Sequence, residues 1–211
     1  SAIKEEGVIS RAIKNSIISI REWQLRDFSS NKYKNVDDKP YGGGAGMVMQ
    51  VKPIRDCLAK IKELEPNTKV IYLSPQGEPL NQKLVEKLTN FESLTLLCGR
   101  YEGVDERVIE NDIDFEVSIG DYVISGGELA SMVLIDAVSR RLDSVLGNKD
   151  SLNDSFTNNL LDHPHYTRPE TIDGDSVPEV LLSGNQAKID AWRQEQSIKK
   201  TKQKRPDILS S

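Results

Sequence analysis

No apolar run in this 211-residue sequence approaches the roughly 18–20 residues that a bilayer-spanning helix needs. No basic start leads into an apolar stretch with a small-residue cleavage site. A membrane-embedded or secreted protein is therefore not expected, and the chain reads as cytoplasmic. Cysteine is scarce: Cys57 and Cys98 are the two, far from any C-x-x-C spacing. That excludes a disulfide framework and a cysteine zinc site, and leaves reduced thiols packed in a core. The two histidines, His163 and His165, flank a proline, with no Cys or third His to complete a metal site. Hydrogen bonding or packing is expected of them. Positive charge is not in excess either; a net charge of −5 weighs mildly against nucleic acid. Hydrophobic content of 37% and charged content of 29% suit a globular protein and not a disordered one.

The charge is unevenly spread. Asn90 to Val117 holds eight carboxylates against Arg100 and Arg107, whereas "IKKTKQKRP" near the end carries five cations and no acid. Such asymmetry marks either a basic face on an acidic protein or a solvated helix end. "VIYLS" (Val70–Ser74) and "LTLLC" (Leu94–Cys98) are short, continuous apolar runs, as in strands buried on both faces of a parallel sheet. Between them Leu80, Leu84, Val85 and Leu88 recur at helical spacing. Ile54, Cys57, Leu58, Ile61 and Leu64 do so earlier, after a proline suited to a helix start. "GELASMVLIDAVSRRL" predicts a further helix. Strands alternating with helices indicate an α/β fold with a parallel sheet. After Gly147 the texture changes to the polar "NKDSLNDS", then "DHPHYTRPE" and an amphipathic helix, "NQAKIDAWRQEQSIKK". The expected division is a main domain over 1–146, a linker over 147–154 and a small helical domain over 155–211.

Three glycine-bearing turns follow apolar runs: "YLSPQGEPL", "CGRYEGVDER" and "IGDYVISGGE". In open α/β sheets the carboxyl edge of the strands is where ligands bind. None of the turns reads G-x-x-x-x-G-K-[ST] or G-x-G-x-x-G, so a phosphate cradle is disfavoured. A ligand held by backbone groups and apolar walls is favoured instead. A fourth cluster, "PYGGGAGM", suits either a mobile lid or a flexible connector. Asp154 suits a helix N-cap and Arg140 and Arg141 a helix C-terminus, so residue chemistry alone promotes none of them to a site.

Taken together, "YLSPQG", "GRYEGVDER", "GDYVISGGE", "LLDHPHYTRPE" and "VLLSGN" resemble the bacterial tRNA (guanine-N1)-methyltransferases of the SPOUT superfamily. The likeness runs from about Gly7 to Leu209. It implies a SPOUT-type parallel sheet with a deep C-terminal trefoil knot, plus a small helical C-terminal domain that binds tRNA. It implies S-adenosylmethionine as cofactor, held by Tyr72, Leu73, Ser74, Pro75 and Gly77, by Gly99 and Tyr101, and by Ile119, Gly120, Asp121, Tyr122, Val123, Ile124, Gly126 and Gly127. The target it implies is the guanosine immediately 3′ of the anticodon, in the anticodon stem-loop. Asp154 matches the family's general base, Arg140 its O6-stabilising arginine, and Glu102 a glutamate implicated in magnesium dependence. The family works as a homodimer with a composite site. Lys199, Lys200, Lys202, Lys204 and Arg205 are the expected phosphate contacts.

Two departures accompany the match. Ala130 stands where the family usually has proline, so one cofactor-loop contact is expected to differ. The sequence begins at "SAIKEEG" without the Leu-Phe-Pro strand that opens the family fold, so a sheet edge is expected to be incomplete. The alternatives are a SPOUT methyltransferase acting on another RNA and a non-catalytic RNA-binding protein. A dinucleotide-dependent oxidoreductase is disfavoured by the missing glycine fingerprint.

Overall fold

A computed structural model describes residues 2–146 and 154–210. The chain forms two compact units, Ser1–Leu146 and Gly147–Ser211. The first opens with α1 (Ala2–Glu5) and α2 (Gly7–Lys14), then a short hairpin of β1 (Asp37–Asp38) and β2 (Val48–Met49). Helices and strands alternate from there: α3 (Val51–Leu64), β3 (Lys69–Pro79), α4 (Gln82–Leu88), β4 (Leu94–Cys98), α5 (Glu106–Asp112), β5 (Phe115–Ser118) and α6 (Gly127–Ser139). The three long-range strands form one parallel sheet in the order β4-β3-β5.

The central position of β3 follows from its side chains. Successive residues of a strand point to opposite faces, and here both faces are apolar. Val70 and Tyr72 pack with Ile54, Cys57, Leu58, Ile61 and Val108, under α3 and α5. Ile71 and Leu73 pack with Leu84, Val85, Leu88, Leu134 and Val138, under α4 and α6. Strand Val70–Leu73 is thus buried on both sides, which only helices on both faces of the sheet can achieve. Local signals set the helix starts. Asn81 accepts the Leu84 N–H at 2.9 Å, and Asp105 accepts the Arg107 N–H at 3.0 Å. Each such cap stabilises its helix by about 1 kcal/mol.

Sequence and structure differ at the end of β3. The turn expected at Ser74–Gly77 is an excursion inside a longer strand: Leu73 and Glu78 both register with Val117, and Pro79 pairs with Ser118. The excursion requires glycine at its tip. A Cβ on Gly77 would be driven into the backbone of Glu116 and Val117.

In the second unit, β6 (Thr171–Ile172) and β7 (Asp175–Ser176) form a hairpin that the apolar pattern did not flag. Asp173 and Gly174 turn it with φ of +52° and +91°, the left-handed pair that two-residue hairpins favour. Next come α7 (Glu179–Leu182) and α8 (Gln186–Lys204). Fully buried Thr201 joins α8 to the preceding segment, its Oγ1 accepting from the Leu161 N–H at 2.8 Å and donating to the Ser197 carbonyl at 2.7 Å. The linker expected over 147–154 lies, apart from Asp154, outside the described residues. Among the described residues no helix is long and apolar enough to cross a membrane.

Asp114 pins the start of the β3–β5 ladder. Its Oδ2 accepts from the Val70 N–H and its Oδ1 from Lys69 Nζ, each at 2.8 Å. Burial works to raise its pKa, but the Lys69 and Val70 hydrogen bonds together with nearby positive charge leave it below the usual carboxylate range. A depressed carboxylate stabilises the fold above its unfolded pKa of about 3.9, and that contribution is lost as pH falls through the folded value. Asp114→Ala should therefore cost about 1–3 kcal/mol at pH 7, chiefly by orphaning the Val70 N–H. The gap from wild type should shrink as pH drops below 4; denaturant melts across pH 2–7 measure both, and a pH-independent gap would rule out the carboxylate's charge as the cause.

Candidate active site

The ends of β3, β4 and β5 carry the three glycine-bearing segments, and backbone hydrogen bonds tie them together. The first is the Ser74–Gly77 excursion, where Ser74 Oγ accepts from the Gln76 N–H at 3.1 Å. Its exit is fixed to the third segment by the Leu80 N–H donating to the Ser118 carbonyl at 2.7 Å. The second, Gly99–Gly103, closes a turn from the Gly103 N–H to the Arg100 carbonyl at 3.2 Å. At its crest Tyr101 sits in the left-handed region at φ +60° and is half exposed. Within the third, the Tyr122 N–H donates to the Gly120 carbonyl at 2.9 Å, and Tyr122 and Val123 project outward.

The second and third segments meet at Gly127, whose N–H donates to the Gly99 carbonyl at 2.9 Å. A Cβ on Gly127 would lie 2.7 Å from Cys98 Cα and 3.0 Å from the Gly99 nitrogen. Glycine here lets the start of α6 rest directly on the end of β4. Arg100 reinforces the junction, with Nε and Nη2 donating to Glu128 Oε1 at 2.9 and 2.6 Å. The expected cofactor residues of all three segments therefore share one edge of the sheet. Ala130 is buried in the apolar cluster between α6 and the sheet, against which Ile119 and Ile124 of the third segment also pack.

The remaining glycine cluster belongs to the same neighbourhood. It forms the loop between β1 and β2, and its far flank docks on the second segment. The Glu102 N–H donates to the Met47 carbonyl at 3.0 Å and the Met49 N–H to the Gly103 carbonyl at 2.9 Å. No local signal in the sequence announces this association of a lid or connector with Glu102, because it depends on a non-local pairing. The Glu102 carboxylate is exposed, and among the described residues it belongs to no group of three or more potential metal ligands.

Burial raises the pKa of Tyr72, helped by the Glu116 carboxylate, against a backbone hydrogen bond at Val104. Burial also pushes Cys57 up to about 11 and raises Cys98 despite its Ser131 hydrogen bond. Both thiols are free and protonated, as packing residues should be.

Arg140 and Arg141 follow α6. The Arg140 N–H donates to the Asp136 carbonyl at 3.1 Å, while the Arg141 guanidinium reaches Glu86 on α4 at 3.0 Å. The Arg141 contact is a structural tether between two helices. Asp154 belongs to the second unit; it is exposed, and its Oδ1 accepts from the Ser155 N–H at 2.9 Å. In the basic stretch, Lys200 donates to the Asp162 carbonyl at 3.0 Å and Arg205 pairs with Asp207 at 2.7 Å. Lys199, Lys202 and Lys204 are exposed on or at the end of α8. Finally, His165 Nε2 lies 2.6 Å from Asp162 Oδ2, so the hydrogen bonding expected of the histidine pair is present.

The family described as tRNA (Guanine-1)-methyltransferase TrmD matches residues 1–211. A tRNA (guanine-N(1)-)-methyltransferase of Nitrosospira multiformis is 54% identical over 216 residues, covering 100% of this chain and 84% of the relative. Proteins of the same name from Vibrio vulnificus and Shewanella sediminis are 53% and 54% identical over 212 residues, covering 100% of this chain and 85% and 88% of theirs. With the glycine-bearing edge of its parallel sheet and a match that spans every residue, the chain belongs to the tRNA (guanine-1)-methyltransferase family.

Proposed function

We propose that the protein transfers a methyl group from S-adenosylmethionine to N1 of the guanosine immediately 3′ of the anticodon in tRNA. The observation that carries this reading is the 54% and 53% identity, over the whole chain, to enzymes named for guanine-N1 methylation of tRNA. The sheet edge fits the cofactor chemically. An adenosine without phosphates suits main-chain groups and apolar walls, and the three linked segments bring glycine-rich main chain together with Tyr72, Leu73, Tyr101, Tyr122 and Ile124, with no lysine among them. S-adenosylmethionine supplies, when bound, an electrophilic methyl group. We assign its walls to Tyr72–Pro75 with Gly77, to Gly99 and Tyr101, and to Ile119–Ile124 with Gly126 and Gly127, and infer the trefoil knot from the family likeness. The backbone ties among the three segments support both.

Guanine N1 carries a proton and must lose it to become a nucleophile. Asp154 is the proposed base, its carboxylate being of the kind that takes up such a proton in general base catalysis. Negative charge then grows on O6, and Arg140 is positioned at the end of α6 as the proposed guanidinium that stabilises it. Glu102 offers one carboxylate to a magnesium ion, which commonly takes one or two from the protein and the rest from water or substrate. A homodimer is supported by α6, where Leu129 and Val133, one helical turn apart, are 57% and 49% exposed opposite its buried face. The second unit is the proposed tRNA-binding domain. The linear run of Lys199, Lys202 and Lys204 supports phosphate contact, with Lys200 and Arg205 having partners of their own.

If Asp154 is the base, Asp154→Asn should slow single-turnover methylation by about 10²–10⁴-fold and leave S-adenosylmethionine affinity by calorimetry unchanged. Mixing it with Arg140→Ala should restore activity if the two residues reach one pocket from different subunits. No recovery after proven subunit exchange would contradict the composite site. Neutralising Lys199, Lys202 and Lys204 should weaken tRNA binding across sequences and lower the log–log salt slope by a little under ~1 for each phosphate no longer neutralised. An unchanged slope would make these lysines a solvated helix end.

A further inference from the structure

The "DHPH" stretch holds a cluster to which the proposed methyl transfer assigns no role. Asp162, His163 and His165 bring one ligand atom each to within 4.8 Å of one another. His165 Nε2 is 2.6 Å from Asp162 Oδ2, and His163 Nε2 is 3.8 Å from Asp162 Oδ1. The imidazole rings lie close, with centroids 4.4 Å apart and planes tilted by 47°. One carboxylate thus lies before two ring nitrogens. We propose that Asp162, His163 and His165 bind one divalent transition-metal ion of the Zn²⁺, Ni²⁺ or Cu²⁺ class.

The tautomer of His163 supports this. Its Nδ1 lies 3.1 Å from the Pro164 carbonyl. A carbonyl only accepts, so the Nδ1 carries the hydrogen, and in the neutral ring Nε2 is left with a bare lone pair. A metal-bound histidine is commonly held in this way, its second nitrogen donating to a carbonyl that orients the ring. Asp162 is oriented from three sides. Its N–H donates to Ser155 Oγ at 3.1 Å, its carbonyl accepts from Lys200 at 3.0 Å, and its Oδ1 accepts from the His163 N–H at 2.8 Å. Lys200 therefore holds the backbone and not the carboxylate. The His165 side chain is 69% exposed while those of His163 and Asp162 are 19% and 25% exposed, which gives an ion an open path to a partly sheltered site.

Two imidazoles and a carboxylate suit borderline ions and not Mg²⁺, which prefers oxygen ligands and retains its waters. Tetrahedral bonds of about 2.0–2.1 Å put ligand atoms about 3.4 Å apart. From ligand atoms spread over up to 4.8 Å, both rings must adjust by side-chain rotation, and His165 must draw back from its short hydrogen bond. The proton on His165 Nε2 moves through solvent to Nδ1 of the same ring, so the neutral imidazole keeps one hydrogen and presents Nε2 to the ion. Three protein ligands leave the fourth position to water.

The test uses the full chain without a histidine tag. Co²⁺ titration should give one equivalent per chain with visible d–d absorption, and Zn²⁺ should displace it. His165→Ala, whose exposed side chain can be removed without unfolding, and Asp162→Asn should each weaken binding at least 10-fold, with circular dichroism unchanged. Glu102→Gln should leave it intact, since Glu102 is outside this group. Absence of saturable Co²⁺ binding below about 1 mM, or binding unaltered in His165→Ala, would overturn the proposal, as would its loss in Glu102→Gln.

Discussion

The parallel ladder between β3 and β5 is the constraint on which the candidate site depends. It pairs Ile71–Leu73 with Phe115–Val117, releases Ser74–Gly77, and resumes at Glu78 and Pro79 beside Val117 and Ser118. Because both ends of the excursion are hydrogen-bonded to one neighbouring strand, the first glycine-bearing segment is held as a fixed shape against the sheet. The third begins where that ladder ends, and the Gly127–Gly99 bond joins it to the second. Gly77 and Gly127 are places where another backbone occupies the space of a side chain. The sheet edge is therefore built by close main-chain approach more than by side-chain chemistry, which matches a cofactor bound through backbone groups.

Much of this was legible from apolar pattern. "LTLLC" coincides with β4, and the helical spacing of Ile54, Cys57, Leu58 and Ile61 gives the buried face of α3. A continuous apolar run at Val70 to Leu73 correctly implied burial on both faces. The extension of β3 to Pro79 was not legible, because Glu78 and Pro79 rejoin the ladder only through β5, some forty positions later. The Asp173–Gly174 hairpin was legible in principle, since that dipeptide favours a two-residue turn, yet it lies in a stretch without alternating apolar residues. Asp162 escapes notice when only His and Cys are counted as metal ligands, although its carboxylate is the neighbour that completes the histidine pair.

Catalytic roles obey a different logic. Asp154 and Arg140 have ordinary local explanations, and nothing in their neighbours' spacing distinguishes a base from a turn residue. Their assignment comes from the family's motifs, in which an Asp precedes Ser-Phe and an Arg ends the helix after "SGGEL". The Glu86 tether gives Arg141 a packing role that sequence alone does not reveal. Knotted connectivity is likewise beyond any periodic signal, because it is a property of how loops thread and not of which residues alternate.

The central claim is a regiospecific methyl transfer. Incubating the protein with isotopically labelled S-adenosylmethionine and unmodified tRNA, followed by nuclease digestion and mass spectrometry of the fragments, reads both the position and the base modified. The account predicts one label, as 1-methylguanosine immediately 3′ of the anticodon. Label on another nucleotide or another guanine atom, or none despite bound cofactor and tRNA, would contradict it.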